Sequence, residues 1–173
     1  MFVHLKLIKL LFDTKNETEA GKFLIKKNKT LSIAESCTGG LLSSLMTDVS
    51  GSSSYIKANF VTYANEAKIK YLGVNEQTLN TYGAVSSQTA GEMVNGLLKN
   101  TETDYALATT GIAGPTGGTK EKPVGLVFIG VGKKGSVKIS KYNVNPCYPR
   151  LLIKYLFAKQ TARLLKEFLK ENE

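Results

Sequence analysis

Short apolar stretches alternate with longer amphipathic ones along this chain, and this alternation constrains the fold more than any other feature. Apolar runs of strand length, flanked by glycine or polar residues, predict strands at residues 31–35, 55–63, 104–110, 124–131 and 137–144. Segments with a helical period predict helices at residues 16–27, 41–49, 65–71, 75–82, 86–99 and 150–170. Strands that alternate with helices before a closing hairpin predict an α/β protein, a single three-layer α/β/α domain with a mixed central sheet.

The first residues form a segment of different character. Residues 1–13 read MFVHLKLIKLLFD, an apolar run that Lys6 and Lys9 interrupt and that no small-residue cleavage site follows. This pattern favours a packed segment over a signal peptide, and an amphipathic surface anchor is the alternative. We expect residues 1–14 to be an N-terminal extension packed on a domain formed by residues 15–173. No apolar run reaches the length of about 18 residues that spans a bilayer, so no membrane partner is expected.

Two cysteines, Cys37 and Cys147, and one histidine, His4, limit the available chemistry. Two cysteines do not make a disulfide framework, so the pattern favours a reducing, cytoplasmic setting. No pair of these residues has the spacing of zinc ligands, so no metal site is predicted. Because histidine is scarce, an enzyme built on this chain would move protons with another group.

The net charge is strongly positive, because 23 Lys and Arg residues face 14 Asp and Glu residues, which gives +9. Such a charge is compatible with nucleic acid, a membrane surface or a phosphorylated substrate. The lysines are scattered, however, and the sequence has no basic stripe interleaved with aromatic residues. The pattern therefore does not favour nucleic acid as a partner.

The first candidate site is the turn after the strand at 31–35, where Ser36, Cys37, Thr38, Gly39 and Gly40 lead into a helix. Free N–H groups at a helix N-terminus favour an anion such as phosphate, and glycines allow the tight turn. From the residues alone, a merely structural turn is an equally good interpretation. The cysteine is either a nucleophile with a pKa lowered by the helix terminus or a small buried filler.

Two further stretches are candidates. A serine in the loop at 51–54 could be activated by Lys68 if burial or nearby positive charge lowered the pKa of the lysine. Spacing alone favours ordinary turn and surface residues there. The Gly- and Pro-rich loop at 110–118 follows the most apolar strand, at the strand end where open α/β sheets bind ligands, so it predicts a binding loop.

Six motifs that occur in order along the chain include these candidate stretches and together indicate one protein family. Taken together, the chain from about residue 15 to residue 170 strongly resembles the CinA C-terminal domain family, also known as the PncC-type nicotinamide-nucleotide amidases. The motifs are Ala34–Gly40, Gly51–Ser53, Phe60–Lys68, Gly83–Ser86, Gly111–Pro115 and Lys122–Gly125. Each motif alone is weak, whereas six at the family's spacing are highly specific.

The resemblance implies an α/β/α fold and hydrolysis of the carboxamide of nicotinamide mononucleotide to nicotinic acid mononucleotide and ammonia. It implies a Ser–Lys pair without metal or cofactor, in which Ser53 is the nucleophile and Lys68 its base. Tyr63 would assist proton transfer or orient the pair. A homodimer and a small-molecule nucleotide substrate are the expected partners.

The resemblance also assigns residues to substrate binding. Thr110 and the backbone of Gly111 would line the pocket, and Arg150 would contact the phosphate through its paired N–H donors. Ser36, Thr38, Gly39 and Gly40 would help to position the nucleotide. Before the arginine the family usually has a Gly-Asp-Arg-like turn, and this chain departs from it at residues 145–149.

Three alternatives stay open at this stage. The chain could be a non-catalytic binding module linked to competence or DNA damage, as the family name suggests. It could be an amidase in which Cys37 rather than Ser53 is the nucleophile. It could also hydrolyse another amide or nucleotide with the same pair.

Overall fold

A mixed five-stranded sheet carries helices on both of its faces. The computed structural model describes residues 13–173, so the predicted extension at residues 1–14 lies almost entirely outside the described residues and stays a prediction. The strands are β1 (Leu31–Glu35), β2 (Ile56–Val61), β3 (Tyr105–Gly111), β4 (Leu126–Lys133) and β5 (Ser136–Asn143). The helices are α1 (Lys15–Lys26), α2 (Leu41–Thr47), α3 (Asn65–Leu72), α4 (Glu76–Tyr82), α5 (Ser87–Thr101) and α6 (Arg150–Glu171), with a 3-10 turn at Ser52–Ser54.

The strand order is β2-β1-β3-β4-β5. Strand β1 pairs in parallel with both β2 and β3, and β3, β4 and β5 pair antiparallel. The predicted α/β class and mixed sheet are therefore confirmed. The chain leaves β1 for β2 on one side and later returns to β3 on the other, so a topological switch point lies between β1 and β3.

Successive side chains of the strands point to opposite faces of the sheet and pack into two separate hydrophobic cores. In β3, Tyr105 and Leu107 pack towards α1, α2 and α6, whereas Ala106 and Ala108 pack towards α5. This period of two, with apolar residues on both faces, is what a strand buried between two helix layers requires. The three-layer arrangement follows from it.

Helix α5 lies close to the end of α3 because of a glycine. A Cβ on Gly96 would lie 1.7 Å from the carbonyl oxygen of Leu72, so no larger residue fits without moving one of the two helices. Helix α3 carries Lys68, and this close packing fixes the position of the helix on the sheet.

A buried ion pair joins α1 to α6. Lys159 Nζ lies 2.8 Å from Glu17 Oε1, and both side chains are almost fully buried. The contact is ionic rather than a directed hydrogen bond, since neither carboxylate oxygen of Glu17 has a hydrogen-bond partner among residues 13–173. Lys159 also donates to the backbone oxygen of Asp13.

Candidate functional site

The carboxyl ends of the three parallel strands meet at one edge of the sheet, and a cavity of about 250 Å³ opens there. Residues that follow β1, β2 and β3 line it, together with the segment before α5 and the first residue of α6. The lining residues are Ser36, Cys37, Tyr63, Lys68, Ala84, Val85, Thr110, Gly111, Ile112, Ala113, Gly114, Thr116, Gly117 and Arg150. The cavity lies at the switch point, the place where open α/β sheets bind ligands.

Lys68 and Ser36 form the centre of this cavity. Lys68 Nζ lies 2.8 Å from the carbonyl oxygen of Thr62, 3.2 Å from that of Tyr63 and 3.2 Å from Ser36 Oγ. A neutral amine has two hydrogens and one lone pair. As an ammonium, Lys68 donates to all three oxygens. In the neutral form the two carbonyls, which can only accept, take both hydrogens and leave the lone pair for the Ser36 hydroxyl. The geometry therefore suits a lysine that accepts a proton from Ser36.

The environment of Lys68 makes the neutral form more accessible than it is for a lysine in water. The side chain is 1% exposed, and the three oxygens around its nitrogen are all uncharged. Burial holds the pKa of Lys68 below the ordinary value of 10.5, while the nearby Cys37 and Glu66 side chains oppose this shift. A lysine with a lowered pKa is the kind that serves as a general base.

The structure does not bring Ser53 to Lys68, which corrects the predicted pairing. Ser53 is exposed in the 3-10 turn before β2, whereas Lys68 follows that strand. The six residues of β2 span roughly 20 Å, so the two residues belong to opposite edges of the sheet. Because parallel strands place their carboxyl ends together, the serine after β1, Ser36, is the one that meets the lysine.

The expected anion site at the start of α2 is already occupied by a side chain of the chain itself. The buried carboxylate of Glu35 accepts from the N–H groups of Gly40, Leu42 and Ser43, and from the Ser43 hydroxyl. These are the N–H groups that a phosphate would use at a helix N-terminus. The N–H groups that made this terminus a candidate for an anion are therefore already bonded within the chain, and a role of the turn in positioning the nucleotide stays a prediction. Glu35 itself belongs to the Ala34–Gly40 motif but gave no sequence signal of this capping role.

The other residues of the turn have structural positions. Thr38 is buried and its hydroxyl lies 2.8 Å from that of Thr109, which ties the turn to β3. Gly39 and Gly40 have positive φ angles of 61° and 96°, so they allow the turn, but neither lines the cavity. Of the predicted nucleotide-binding residues in this turn, Ser36 alone lines it.

Cys37 lines the cavity but lacks the properties of a nucleophile. It is 4% exposed, and burial raises the pKa of its thiol to about 12. A reactive cysteine needs a lowered pKa and access to solvent. The alternative with a cysteine nucleophile is therefore not supported, and the small buried filler is the interpretation that fits.

Tyr63, Arg150 and Gly114 form the rim. Arg150 donates to the carbonyl oxygen of Gly114 and, at 3.0 Å, to the Tyr63 hydroxyl. Tyr63 is 62% exposed, so it stands at the mouth rather than beside the buried amine. The structure brings the predicted Tyr63 and Arg150 together across the cavity, and their roles stay predictions.

Thr110 and Gly111 lie on the floor of the cavity, where the resemblance placed them. The Thr110 hydroxyl donates to the carbonyl oxygen of Ala84 at 2.6 Å. This carbonyl belongs to the Gly83–Ser86 motif, and the sequence did not indicate its place in the site because a backbone carbonyl carries no residue-type signal.

Within residues 13–173 no cluster of three or more His, Cys, Asp or Glu side chains could hold a metal ion. None of the helices in the described part of the chain combines the length and apolarity needed to cross a membrane.

The fold and site define a class of protein: an α/β domain with a buried Ser–Lys pair at the switch point of its parallel strands. The comparisons with known proteins name the family. The model of the CinA C-terminal domain matches residues 13–169, so the chain belongs to that family.

Relatives with known sequences agree. The chain is 54% identical over 124 residues to a CinA-like protein of Endomicrobium trichonymphae, covering 72% of this chain and 29% of that protein. It is 52% identical over 132 residues to a putative competence-damage inducible protein of Halothermothrix orenii, covering 76% of this chain and 32% of that protein. The chain thus spans about a third of the length of these curated relatives.

Solved structures confirm the fold. The competence/damage inducible protein CihA from Agrobacterium tumefaciens matches with a TM-score of 0.82 and 38% identity, over 90% of this chain and 96% of that one. The competence damage-inducible protein A (ComA) from Klebsiella pneumoniae matches with a TM-score of 0.88 and 28% identity, over 92% and 98%.

Proposed function

We propose that this chain is an amidohydrolase that cleaves the carboxamide of nicotinamide mononucleotide, with Ser36 as nucleophile and Lys68 as its base. The observation that carries the proposal is the buried Lys68 amine, held by two carbonyls with its third contact 3.2 Å away at Ser36 Oγ. The substrate is the one that the family resemblance implies. Such a Ser–Lys pair replaces the histidine that the chain almost lacks.

In the proposed first step, the neutral Lys68 amine takes the Ser36 hydroxyl proton as Ser36 Oγ attacks the carboxamide carbon. A C–O bond forms and the carbonyl electrons move to oxygen. The Lys68 ammonium then gives its proton to the departing nitrogen, the C–N bond breaks and ammonia leaves. Water then attacks the ester carbon while Lys68 takes one of its protons. The carbonyl re-forms, the C–O bond to Ser36 breaks as Lys68 returns that proton to Ser36 Oγ, and nicotinic acid mononucleotide leaves.

The turn after β1 also offers a place for the negative oxygen. Most backbone N–H groups of residues 36–43 already have an acceptor. The N–H of Ser36 donates to the carbonyl oxygen of Thr109, that of Gly39 donates to the carbonyl oxygen of Ser36, and three others donate to the Glu35 carboxylate. The N–H of Cys37 donates to no other residue of the described chain, and Cys37 lines the cavity, whereas Thr38 does not. An N–H group directly after a nucleophile is suited to an oxyanion, and such a donor contributes about 10²–10³-fold in rate.

Arg150 supplies positive charge at the rim, opposite the pair. Two of its five N–H donors are used by Gly114 and Tyr63, so donors remain for a phosphate. A homodimer and a cytoplasmic setting belong to the proposal through the resemblance and the cysteine content.

The test is ammonia release from nicotinamide mononucleotide by the wild type and by Lys68→Met, with and without chelator. Lys70→Met, at an exposed lysine of the same helix, is the matched control. We expect activity in the wild type and in Lys70→Met, indifference to chelator, and a loss of about 10³-fold or more in Lys68→Met. An inactive wild type, or an active Lys68→Met, would contradict the proposal.

A further inference from the structure

The hydroxyl of Thr110 has a fixed hydrogen-bond direction. Its oxygen lies 2.6 Å from the carbonyl oxygen of Ala84, and a carbonyl can only accept, so the single hydroxyl proton of Thr110 points to Ala84. Thr110 lines the cavity, although only 1% of the residue is exposed. Towards the cavity, Thr110 therefore presents lone pairs and no donor.

The segment at residues 83–86, which carries the accepting carbonyl of Ala84, is held in place by further hydrogen bonds. The Ser86 and Thr89 hydroxyls both donate to the carbonyl oxygen of Gly83, at 3.0 Å and 2.9 Å, and Ser86 caps helix α5 by accepting from the Thr89 N–H. The carbonyl of Ala84, one residue on, is thus held by the start of a helix. Rotation of the Thr110 hydroxyl to donate into the cavity would leave this partly buried carbonyl without its donor.

We infer that Thr110 is a specificity-determining residue that selects a carboxamide over the corresponding carboxylate. The inference rests on the proposed function, since Thr110 lines the same cavity as Ser36 and Lys68. The amide and the acid have the same shape but differ in hydrogen bonding. The amide nitrogen donates to the Thr110 oxygen, whereas an ionised carboxylate has only acceptors and faces the lone pairs of that oxygen.

This arrangement favours release of the product. Once the carboxamide has become a carboxylate, the contact with Thr110 changes from attractive to repulsive. Sites built to hydrogen-bond one group reject an analogue that leaves a buried polar atom unpaired. The same contact would turn the amide nitrogen, the leaving group, towards a fixed side of the cavity.

The test measures binding of nicotinamide mononucleotide and of nicotinic acid mononucleotide by calorimetry. It uses Ser36→Ala, so that the amide is not turned over, and adds Thr110→Val, which keeps the shape of threonine without its hydroxyl. We expect the added substitution to weaken binding of the amide by about tenfold and to leave binding of the acid unchanged or tighter. Adding Thr110→Ser instead should preserve the preference for the amide.

Two controls separate selection from a general structural effect. Thr109→Val removes a neighbouring buried hydroxyl that does not line the cavity, so it should change the affinities of both ligands by the same factor. If Thr110→Val does not fold, as judged by its thermal unfolding, Thr110→Ala takes its place. Equal loss for both ligands, or no change for either, would overturn the inference. If Ser36→Ala binds neither ligand, the proposed substrate is wrong and the inference falls with it.

Discussion

Replacing Lys68 by methionine should change how the stability of this protein depends on pH. Lys68 is 1% exposed, and burial holds its pKa below 10.5 despite the opposing Cys37 and Glu66 side chains. Between the folded-state pKa and 10.5 the unfolded chain binds more protons at this residue than the folded protein does. The free energy of unfolding should therefore rise with pH across that window, and Lys68 should destabilise the fold most on the acidic side of it.

The pKa shift of Lys68 sets how steeply the free energy of unfolding changes with pH. One group contributes at most about 1.4 kcal/mol per pH unit within the window. Methionine removes this dependence, but it also leaves the carbonyls of Thr62 and Tyr63 without their donor, at about 1–3 kcal/mol for the buried Thr62 carbonyl and less for the partly buried Tyr63 carbonyl. That second effect does not vary with pH. The pH-dependent part of the difference between the two proteins therefore reports Lys68 alone.

The assay is urea unfolding of the wild type, Lys68→Met and Lys70→Met at intervals between about pH 7 and about pH 10. We expect the stability of the wild type relative to Lys68→Met to increase with pH, and the exposed-site control Lys70→Met to run parallel to the wild type. Parallel curves for the wild type and Lys68→Met would refute the reasoning, because they would mean that the buried amine has the same pKa folded and unfolded.

Other predictions concern packing, buried charge and thiol access. Gly96→Ala should destabilise the fold by about 3 kcal/mol in urea unfolding because its Cβ would collide with the end of α3. Gly91→Ala on the same helix meets only ordinary contacts and should stabilise by about 0.5–1 kcal/mol. Glu17→Leu alone should cost about 3–5 kcal/mol, and Glu17→Leu with Lys159→Met should recover most of it; an equal loss in both would contradict the buried-pair account. Cys37 should not react with a thiol reagent until the protein is unfolded, whereas the exposed second cysteine reacts at once.

Much of the fold could be predicted because its strands and helices carry strong local patterns. The strand at 31–35 has the predicted bounds, and the helix predicted at 150–170 runs from Arg150 to Glu171. The strand predicted at 124–131 begins only at Leu126. The apolar pattern includes Val124 and Gly125, but the φ angle of 89° at Gly125 is incompatible with a strand and delays its start.

The site was predicted only in part. The resemblance placed Lys68, Tyr63, Thr110 and Arg150, and the structure brings all four to one cavity. It assigned the nucleophile to Ser53, which no local pattern distinguishes from any other serine in a glycine-containing turn. Which serine meets the lysine depends on strand direction and order, and both are properties of the sheet rather than of neighbouring residues.

The capping role of Glu35 could not be predicted for a similar reason. Its side chain accepts from the residue that caps the following helix and from two residues of its first turn, and that direction depends on the tight turn at Gly39 and Gly40. A carboxylate after a strand is equally compatible with a solvated position. The sequence offered a phosphate site at this terminus, and the folded chain fills it internally.

The central claim is that Ser36, activated by Lys68, is the nucleophile. The most direct test compares kcat/KM for ammonia release from nicotinamide mononucleotide in Ser36→Ala and in Ser53→Ala. We expect a loss of about 10³-fold or more for Ser36→Ala and a change within about twofold for Ser53→Ala. The reverse result, or two variants of equal activity, would contradict it.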